Sequence, residues 1–300
     1  MEELKKCPCC ATSNFNQYAA IKDYSVTQKV FKLSSCSNCG FIFTNPRPDA
    51  QEIGPYYASA NYVPHHSGGF SLFHFLYRII RKIMYKKKLK RIEHNISTPL
   101  AQLSLLDYGA ASGEFLQYCQ TQNIHNTIGI EPDETCRKTA ENQYKLSLKP
   151  VAEIKKIPTA SLEVITLWHV LEHIHDLEET VTIFSQLLKK DGILVISVPN
   201  NKCLDRAIYG DYWAAYDVPR HLYHFNTSAI TTLMSRFGFS LENKYAMPFD
   251  AYYIALHSEW YKKAGKINAI FNAIKNGWLS NQSAKNTGEY SSLMYVFKKQ

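Results

Sequence analysis

The sequence predicts an α/β protein, a doubly wound and mainly parallel sheet preceded by a small cysteine-rich module. Three observations carry that prediction. Short apolar runs alternate with helical periodicity over residues 104–240, the pattern of strand–helix–strand crossovers. A turn of small residues, Gly109-Ala110-Ala111-Ser112-Gly113, joins the first apolar run to the first helix, so backbone N–H groups can approach a ligand closely. Two C-x2-C pairs near the start, Cys7/Cys10 and Cys36/Cys39, enclose two short strand-like runs.

At 300 residues the chain has room for one large α/β domain and a small attachment. No apolar run approaches the roughly 20 residues of a membrane span. Residues 1–6 run straight into cysteines without the apolar core of a signal peptide, so a cytoplasmic location is expected. The net charge is +8, and the segment 70–94 alone carries eight of the Lys and Arg residues against the single acid Glu93.

Taken in order, Cys7, Cys10, Cys36 and Cys39 form two knuckles able to close a tetrahedral Zn²⁺ site of structural type. With strands expected near 18–21 and 29–33, this is the layout of a zinc ribbon over residues 1–45, too small to fold without its metal. Cys9 is an extra thiol that could replace Cys10 as a ligand. A linker containing Asn45-Pro46-Arg47-Pro48 follows, then Tyr56, Tyr57 and Tyr62, which suit packing over a flat ligand or between the two parts of the chain. Residues 70–92 read as an amphipathic helix with a basic face, the last part of a 46–96 connecting region. Such a helix packs between domains with its basic face in water, or meets anionic lipid at the inner face of a membrane, or contacts nucleic acid.

The main domain is expected over 97–300, with its first strand at 105–108. The turn after it departs from the G-x-G-x-x-G dinucleotide fingerprint, because Glu114 would sit beside a pyrophosphate. Residues 127–131 are a second strand ending in Glu131, 18 positions beyond Gly113, where a carboxylate can accept both hydroxyl hydrogens of a ribose. A helix over 133–144, a short strand at 151–154 and a strand at 162–167 follow. The next segment, Trp168-His169-Val170-Leu171-Glu172-His173-Ile174-His175-Asp176, admits three readings. It matches the H-x-x-E-H pattern of zinc hydrolases, or forms a loop facing the ligand crevice at a strand's carboxyl end, or holds a second metal. A helix over 177–190 ends at Asp191-Gly192, and 193–200 is an apolar strand suited to a sheet centre.

In order and spacing, the D-x-G-x-A-x-G turn, Glu131, the H-V-L-E-H segment, the stretch 187–194 and Val198-Pro199-Asn200 resemble one branch of the class I S-adenosylmethionine (SAM) methyltransferases. That branch is related to ubiquinone-type O-methyltransferases and to enzymes of bacterial polysaccharide assembly. The resemblance covers roughly residues 97–245, with Ala111 in place of the usual central glycine. The ribbon and the Asn45-Pro46-Arg47-Pro48 stretch are similar to the N-terminal extension of zinc-ribbon members. What the resemblance implies is a Rossmann-like sheet of seven strands, the last antiparallel. It places Asp107, Gly109, Ala110 and Gly113 at the methionine end of SAM, Glu131 at the ribose and Glu153 at the adenine, with Trp168 and His169 also beside the cofactor.

Beyond strand five, residues 217–225 resemble the P-R-H-x-x-H/Y-F signature of the same branch and should project over the crevice. Arg220 offers a bidentate grip on a phosphate or carboxylate. His221, or else His224 or His169, offers a base for a hydroxyl nucleophile. A strand at 239–245, a helical insert over 250–278, a polar loop at 281–288 and a closing strand at 291–297 complete the reading. The expected reaction is O-methylation of a small or lipid-linked carbohydrate or quinone-like acceptor. The competing readings are an RNA base methyltransferase with a zinc module, a SAM-binding scaffold without catalysis, and a sugar C-methyltransferase, which usually carries a further large domain.

Overall fold

The computed structural model describes residues 1–57 and 72–300, with backbone only for 72–80. Tyr62 and the start of the expected basic helix lie outside the described residues. The N-terminal part forms β1 (Phe15–Lys22), β2 (Val30–Cys36) and β3 (Ile42–Thr44), and a long helix α1 (Leu72–His94) follows. The main body then runs β4 (Ser104–Tyr108), α2 (Glu114–Thr121), β5 (Asn126–Ile130), α3 (Glu134–Tyr144), β6 (Leu162–Trp168), α4 (Leu177–Leu187) and β7 (Leu188–Pro199). It continues through α5 (Leu204–Tyr209), β8 (Tyr223–His224), α6 (Thr227–Ser235), β9 (Phe239–Ala246), α7 (Asp250–Tyr261), α8 (Lys266–Thr287) and β10 (Ser292–Lys299).

The central sheet has the order β5-β4-β6-β7-β10-β9. Its first four strands are mutually parallel, and the last strand of the chain, β10, is antiparallel to both of its neighbours. Successive residues of each strand point to opposite faces, and the two cores divide accordingly. Leu106, Ile165, Ile196 and Tyr295 pack with α4 and α6 on one face. Leu105, Val164, Val195 and Val296 pack with α1 and α2 on the other, beneath Leu89, Ile92 and Phe115.

Among the described residues the sheet has six strands, not seven. The expected third strand is a 3₁₀ helix, Val151–Lys156, and its approach to the sheet is reduced to one bridge, Lys149 to Ile130. Pro150 lacks an N–H, so the ladder cannot continue past Lys149. Two helix ends also differ from expectation. α4 stops at Leu187, and Asp191-Gly192 falls inside the long β7, where the pairing with β6 is irregular. The polar stretch expected as a loop forms the end of α8 up to Thr287, with Gly288 as its cap; Ser280 Oγ donates to Asp205 Oδ1 at 2.8 Å and Asn281 Nδ2 to the Pro248 carbonyl at 2.9 Å.

A second sheet, β1-β2-β3-β8, joins the ribbon to the main body, since β8 comes from the 217–225 segment. Phe41 stacks on Tyr223 with ring centroids 5.8 Å apart, which buries the joint. The Asn45-Pro46-Arg47-Pro48 stretch is packed rather than loose. Arg47 is buried, bonding Glu2 at 2.7 Å and the Tyr223 hydroxyl at 2.8 Å. The four ribbon thiols are gathered, with sulfur–sulfur distances of 3.7 Å for Cys7–Cys39 and 3.6 Å for Cys10–Cys36. Four sulfurs at about 2.3 Å from a tetrahedral ion lie about 3.8 Å apart, so the cluster has the dimensions of a metal site. Cys9 is turned away, its thiol 3.4 Å from the Ala229 carbonyl of α6.

Candidate active site

The carboxyl ends of β4, β5, β6 and β7 meet at one edge of the sheet, where an open α/β fold places its ligand crevice. The turn 109–113 sits there. Gly109 has φ +76° and a Cβ on it would lie 2.4 Å from a Val170 methyl, so a side chain is excluded by conformation and by contact. Ala111 takes φ +47°, a left-handed conformation that its methyl tolerates at some cost. The Gly109 and Ala110 amides donate to the Ile130 carbonyl at 2.8 and 3.0 Å, tying the turn to the end of β5.

The next residue of the chain after β5 is Glu131. Its Oε2 accepts from the Ala111 amide at 2.8 Å and its Oε1 from the Asp133 amide at 2.9 Å. Glu131 and the glycine turn are therefore brought together, each carboxylate oxygen keeping further acceptor capacity. Burial raises the Glu131 carboxyl above its ordinary value, opposed by these two amides. Asp107 is buried beneath the turn and accepts from the Thr166 hydroxyl at 2.6 Å. Burial pushes its carboxyl up, while the charge of Lys88 opposes the shift.

Lys88 is a member of this site that the sequence did not single out. Its ammonium lies 3.9 Å from the centroid of the Trp168 ring, in cation–π geometry. Burial lowers its value to about 8, with Asp107 and Asp250 opposing. One lysine among five in a basic helix carries no mark that it alone turns inward. Arg81 pairs with Glu114 at 2.7 Å and Arg91 donates to the Ala246 carbonyl at 2.9 Å. With Leu89 and Ile92 buried as well, the described part of α1 packs against the main body.

The segment after β6 is not a helix bearing two aligned histidines, which removes the zinc-hydrolase reading. His169 has φ +57°, and Leu171–His173 is one 3₁₀ turn. His169 Nε2 lies 3.0 Å from Asp250 Oδ2, and its Nδ1 3.5 Å from Glu172 Oε1. Burial works against the charged ring, but Asp250 and then Glu172 outweigh it and raise His169 to about 9. The side chain keeps 35% exposure, so solvent screens these pairs and their contribution to stability is small.

Glu172 is fully buried, and neither of its oxygens accepts a hydrogen bond among the described residues. Trp168 Nε1, Ser197 Oγ and His224 Nε2 are likewise buried without a hydrogen-bond partner. Buried polar atoms left unsatisfied in this number mark a place where water or a ligand completes the bonding. Glu172, His173 and His221 each put a donor atom within 4.8 Å of the other two, a set able to hold a divalent cation. His173 Nδ1 lies 3.0 Å from the Arg220 carbonyl and from the Tyr57 hydroxyl.

The three candidate bases separate on these facts. His169 holds its proton at neutral pH. His224 is buried, which drives its value to about 3, and Tyr216 packs edge-on against the ring at 5.5 Å. His221 is partly buried, with Nδ1 2.9 Å from the Ala215 carbonyl and Nε2 4.0 Å from Asp217 Oδ2. A carbonyl only accepts, so Nδ1 carries the hydrogen and Nε2 is the basic nitrogen.

Arg220 is a correction. It is buried and spends its guanidinium inside the protein, on Asp217 at 2.6 and 3.0 Å, Asp23 at 3.3 Å and the Tyr56 carbonyl at 2.9 Å. It ties the ribbon to the 217–225 segment and presents no free fork to a substrate anion. Tyr56 meets Phe31 edge-on at 5.7 Å, a packing role, whereas Tyr57 reaches the His173 ring of the site. Glu153 lies on the 3₁₀ turn that follows the Lys149 bridge to Ile130, and it pairs there with Lys156 at 2.6 Å.

Acid is expected to destabilise the fold through two of these histidines. Burial, with the nearby charge of His221 second, holds His173 down to about 4 and His224 to about 3. The unfolded chain takes up protons near pH 6.5 that the folded state refuses. Stability is therefore lost as pH falls below about 6.5, by about 1.4 kcal/mol per pH unit for each ring until its folded value is reached. Thermal unfolding between pH 7.5 and 5 should show this slope, and a melting temperature flat across that range would contradict it.

A parallel sheet reversed only at its last strand, a glycine turn and an acid bonded to that turn define the class I SAM-dependent methyltransferases. A family model described as a methyltransferase domain matches residues 75–244, more than half of the chain, and the protein belongs to that family. Comparison with curated proteins gave no match. Among solved structures, the chain is similar to the [4+2]-cyclase SpnF, with 14% identity, TM-score 0.55, and 84% of this chain and 97% of that one covered. A SAM-dependent methyltransferase from Archaeoglobus fulgidus is 17% identical, with TM-score 0.46 and coverage of 76% and 100%. At these identities the likeness is one of fold.

Proposed function

We propose that this enzyme methylates a hydroxyl oxygen of a small or lipid-linked carbohydrate or quinone-like acceptor, with His221 as general base. The observation that carries the reading is the His221 imidazole, fixed through Nδ1 by the Ala215 carbonyl so that Nε2 is left to accept a proton. SAM, when bound, supplies a methyl group made electrophilic by its sulfonium. The turn 109–113 and Asp107 would hold its methionine end, and Glu131 its ribose. Trp168 would offer its unpaired Nε1–H and ring face to the same ligand. His221 would take the acceptor's proton at Nε2, and Asp217 beside it would stabilise the imidazolium formed. His169, already protonated, contributes positive charge at the crevice rather than a base.

The acceptor class rests on the sequence resemblance alone, so the test reads the product. Enzyme and SAM labelled in the methyl group are incubated with lipid, glycan and RNA fractions of a cell extract. Label in an ether of the lipid or glycan fraction supports the reading. Label in RNA, or in none of the three, rejects it.

The ribbon's metal is read as a structural Zn²⁺ on Cys7, Cys10, Cys36 and Cys39. All four donors are thiols of dimensions suited to the ion, and the ribbon's own core is small. Removing it with a strong chelator, or replacing Cys36 by serine, is expected to lower the melting temperature by about 10 °C or more. Metal analysis should find one zinc per chain lost in step, and unchanged melting after complete zinc removal would refute the assignment.

A further inference from the structure

Helix α8 is built the wrong way round for a helix that only packs inside one protein. Its buried positions are small, Ala269, Ala273, Gly277 and Ser280 among them. A Cβ on Gly277 would lie 2.6 Å from the Tyr252 ring, so α8 is pressed closely onto α7. Its large apolar residues face outward instead. Ile267 is 84% exposed and Phe271 67%, and Ile270, Ile274 and Trp278 are each more than half exposed. Their three- and four-residue spacing makes one continuous stripe over three turns. Trp260, at the end of α7, adds a further half-exposed ring. So large an apolar stripe on a surface marks a contact.

Charge selects what fits it. Between Ala251 and Gly288 the sole carboxylate is Glu259, which is buried and accepts from Asn272 Nδ2 at 3.1 Å. Lys262, Lys263, Lys266, Lys275 and Lys285 are all exposed. A second copy meeting this face about a two-fold axis would set lysines against lysines with no exposed acid to answer them. A sheet of anionic headgroups over hydrocarbon answers both features at once. No described helix is long and apolar enough to cross a membrane, so the geometry is that of a helix lying in the interface plane.

We propose that the α7–α8 face seats the enzyme on an anionic lipid surface, with Ile267, Ile270, Phe271, Ile274 and Trp278 entering the acyl boundary and the lysines meeting lipid phosphates. This surface is distinct from α1, where Leu89 and Ile92 are buried and Ile83 is exposed. It does not depend on which acceptor is methylated.

The test is flotation of the full chain with vesicles of phosphatidylcholine alone, and of phosphatidylcholine mixed with phosphatidylglycerol. The expected result is flotation with the anionic vesicles only, with a blue shift of tryptophan emission and release by high salt. The pair Ile267→Ser and Phe271→Ser should weaken partition by about 100-fold, and Lys266→Glu with Lys275→Glu should abolish the preference for anionic lipid. These positions are exposed, and thermal unfolding in solution serves as the check that the variants fold. The proposal is overturned if the wild type ignores anionic vesicles. It is equally overturned if light scattering finds a dimer that the Ile267→Ser/Phe271→Ser pair dissociates, since the stripe is then a self-contact.

Discussion

Glu131→Ala is expected to weaken SAM binding by at least about 100-fold while leaving a folded protein. The carboxylate has two jobs at the end of β5. Its oxygens take the Ala111 and Asp133 amides at 2.8 and 2.9 Å, which fixes it against the glycine turn. The acceptor capacity left over is available for two ribose hydroxyls. Hydrogen bonds to a charged group contribute about 1.5–3 kcal/mol each, so losing two costs about 3 kcal/mol or more of binding. The loss of the amide contacts would lower the melting temperature of the free protein modestly, because both amides lie near solvent at a turn. Calorimetric titration with SAM checks the first effect and unfolding without ligand the second. A wild-type dissociation constant in a folded Glu131→Ala protein would remove the nucleoside reading of this site.

The glycine turn and Glu131 were legible because each rests on chain-local chemistry. A turn with φ of +76° at Gly109 needs glycine, and a strand of period two announces its two faces in Leu105 and Leu106. What could not be read depends on contacts between distant residues. Lys88 differs from Lys86 and Lys87 only in which way the helix faces. Asp250, which pairs with His169, lies 81 positions further along the chain. β8 is two residues long, and nothing in Tyr223-His224 shows that their partner is β3 of the ribbon. Arg220 reads as an anion fork although its closest partner, Asp217, is three positions away in the same segment, and its remaining partners, Asp23 and the Tyr56 carbonyl, come from the other end of the sequence. In α8 the polarity of 281–288 reads as a loop, yet Asn281 bonds the Pro248 carbonyl and Ser280 just before it bonds Asp205, which anchors the start of this stretch as helix.

That the ribbon and the 217–225 segment share a sheet bears on catalysis. His221 immediately precedes Leu222, whose amide donates to the Glu172 carbonyl at 2.8 Å, while the Thr44 hydroxyl of β3 donates to the His221 carbonyl at 2.9 Å. The backbone of the proposed base is thus pinned from both sides, by the turn after β6 and by the ribbon. On the proposed assignments, a metal-bound ribbon would serve the chemistry at a distance, by holding the imidazole's backbone in place. Zinc loss would then lower turnover along with stability.

His221→Gln is accordingly expected to lower kcat by about 100- to 10,000-fold, the usual range for removing a general base, with SAM affinity and acceptor KM little changed. Glutamine keeps the volume and a hydrogen-bonding head but takes no proton. His169→Gln should behave differently. It removes a positive charge paired with Asp250 and Glu172, so its effect should fall more on binding at the crevice than on the pH profile. The separating measurement is kcat against pH. In the wild type the rate should rise through the titration of an essential base, and in His221→Gln that rise should vanish, leaving a rate that climbs only with hydroxide. Should the rise persist in His221→Gln, the proton goes elsewhere. Glu172 is then the next group to test, because it is the fully buried carboxylate of the cluster and neither of its oxygens accepts a hydrogen bond among the described residues.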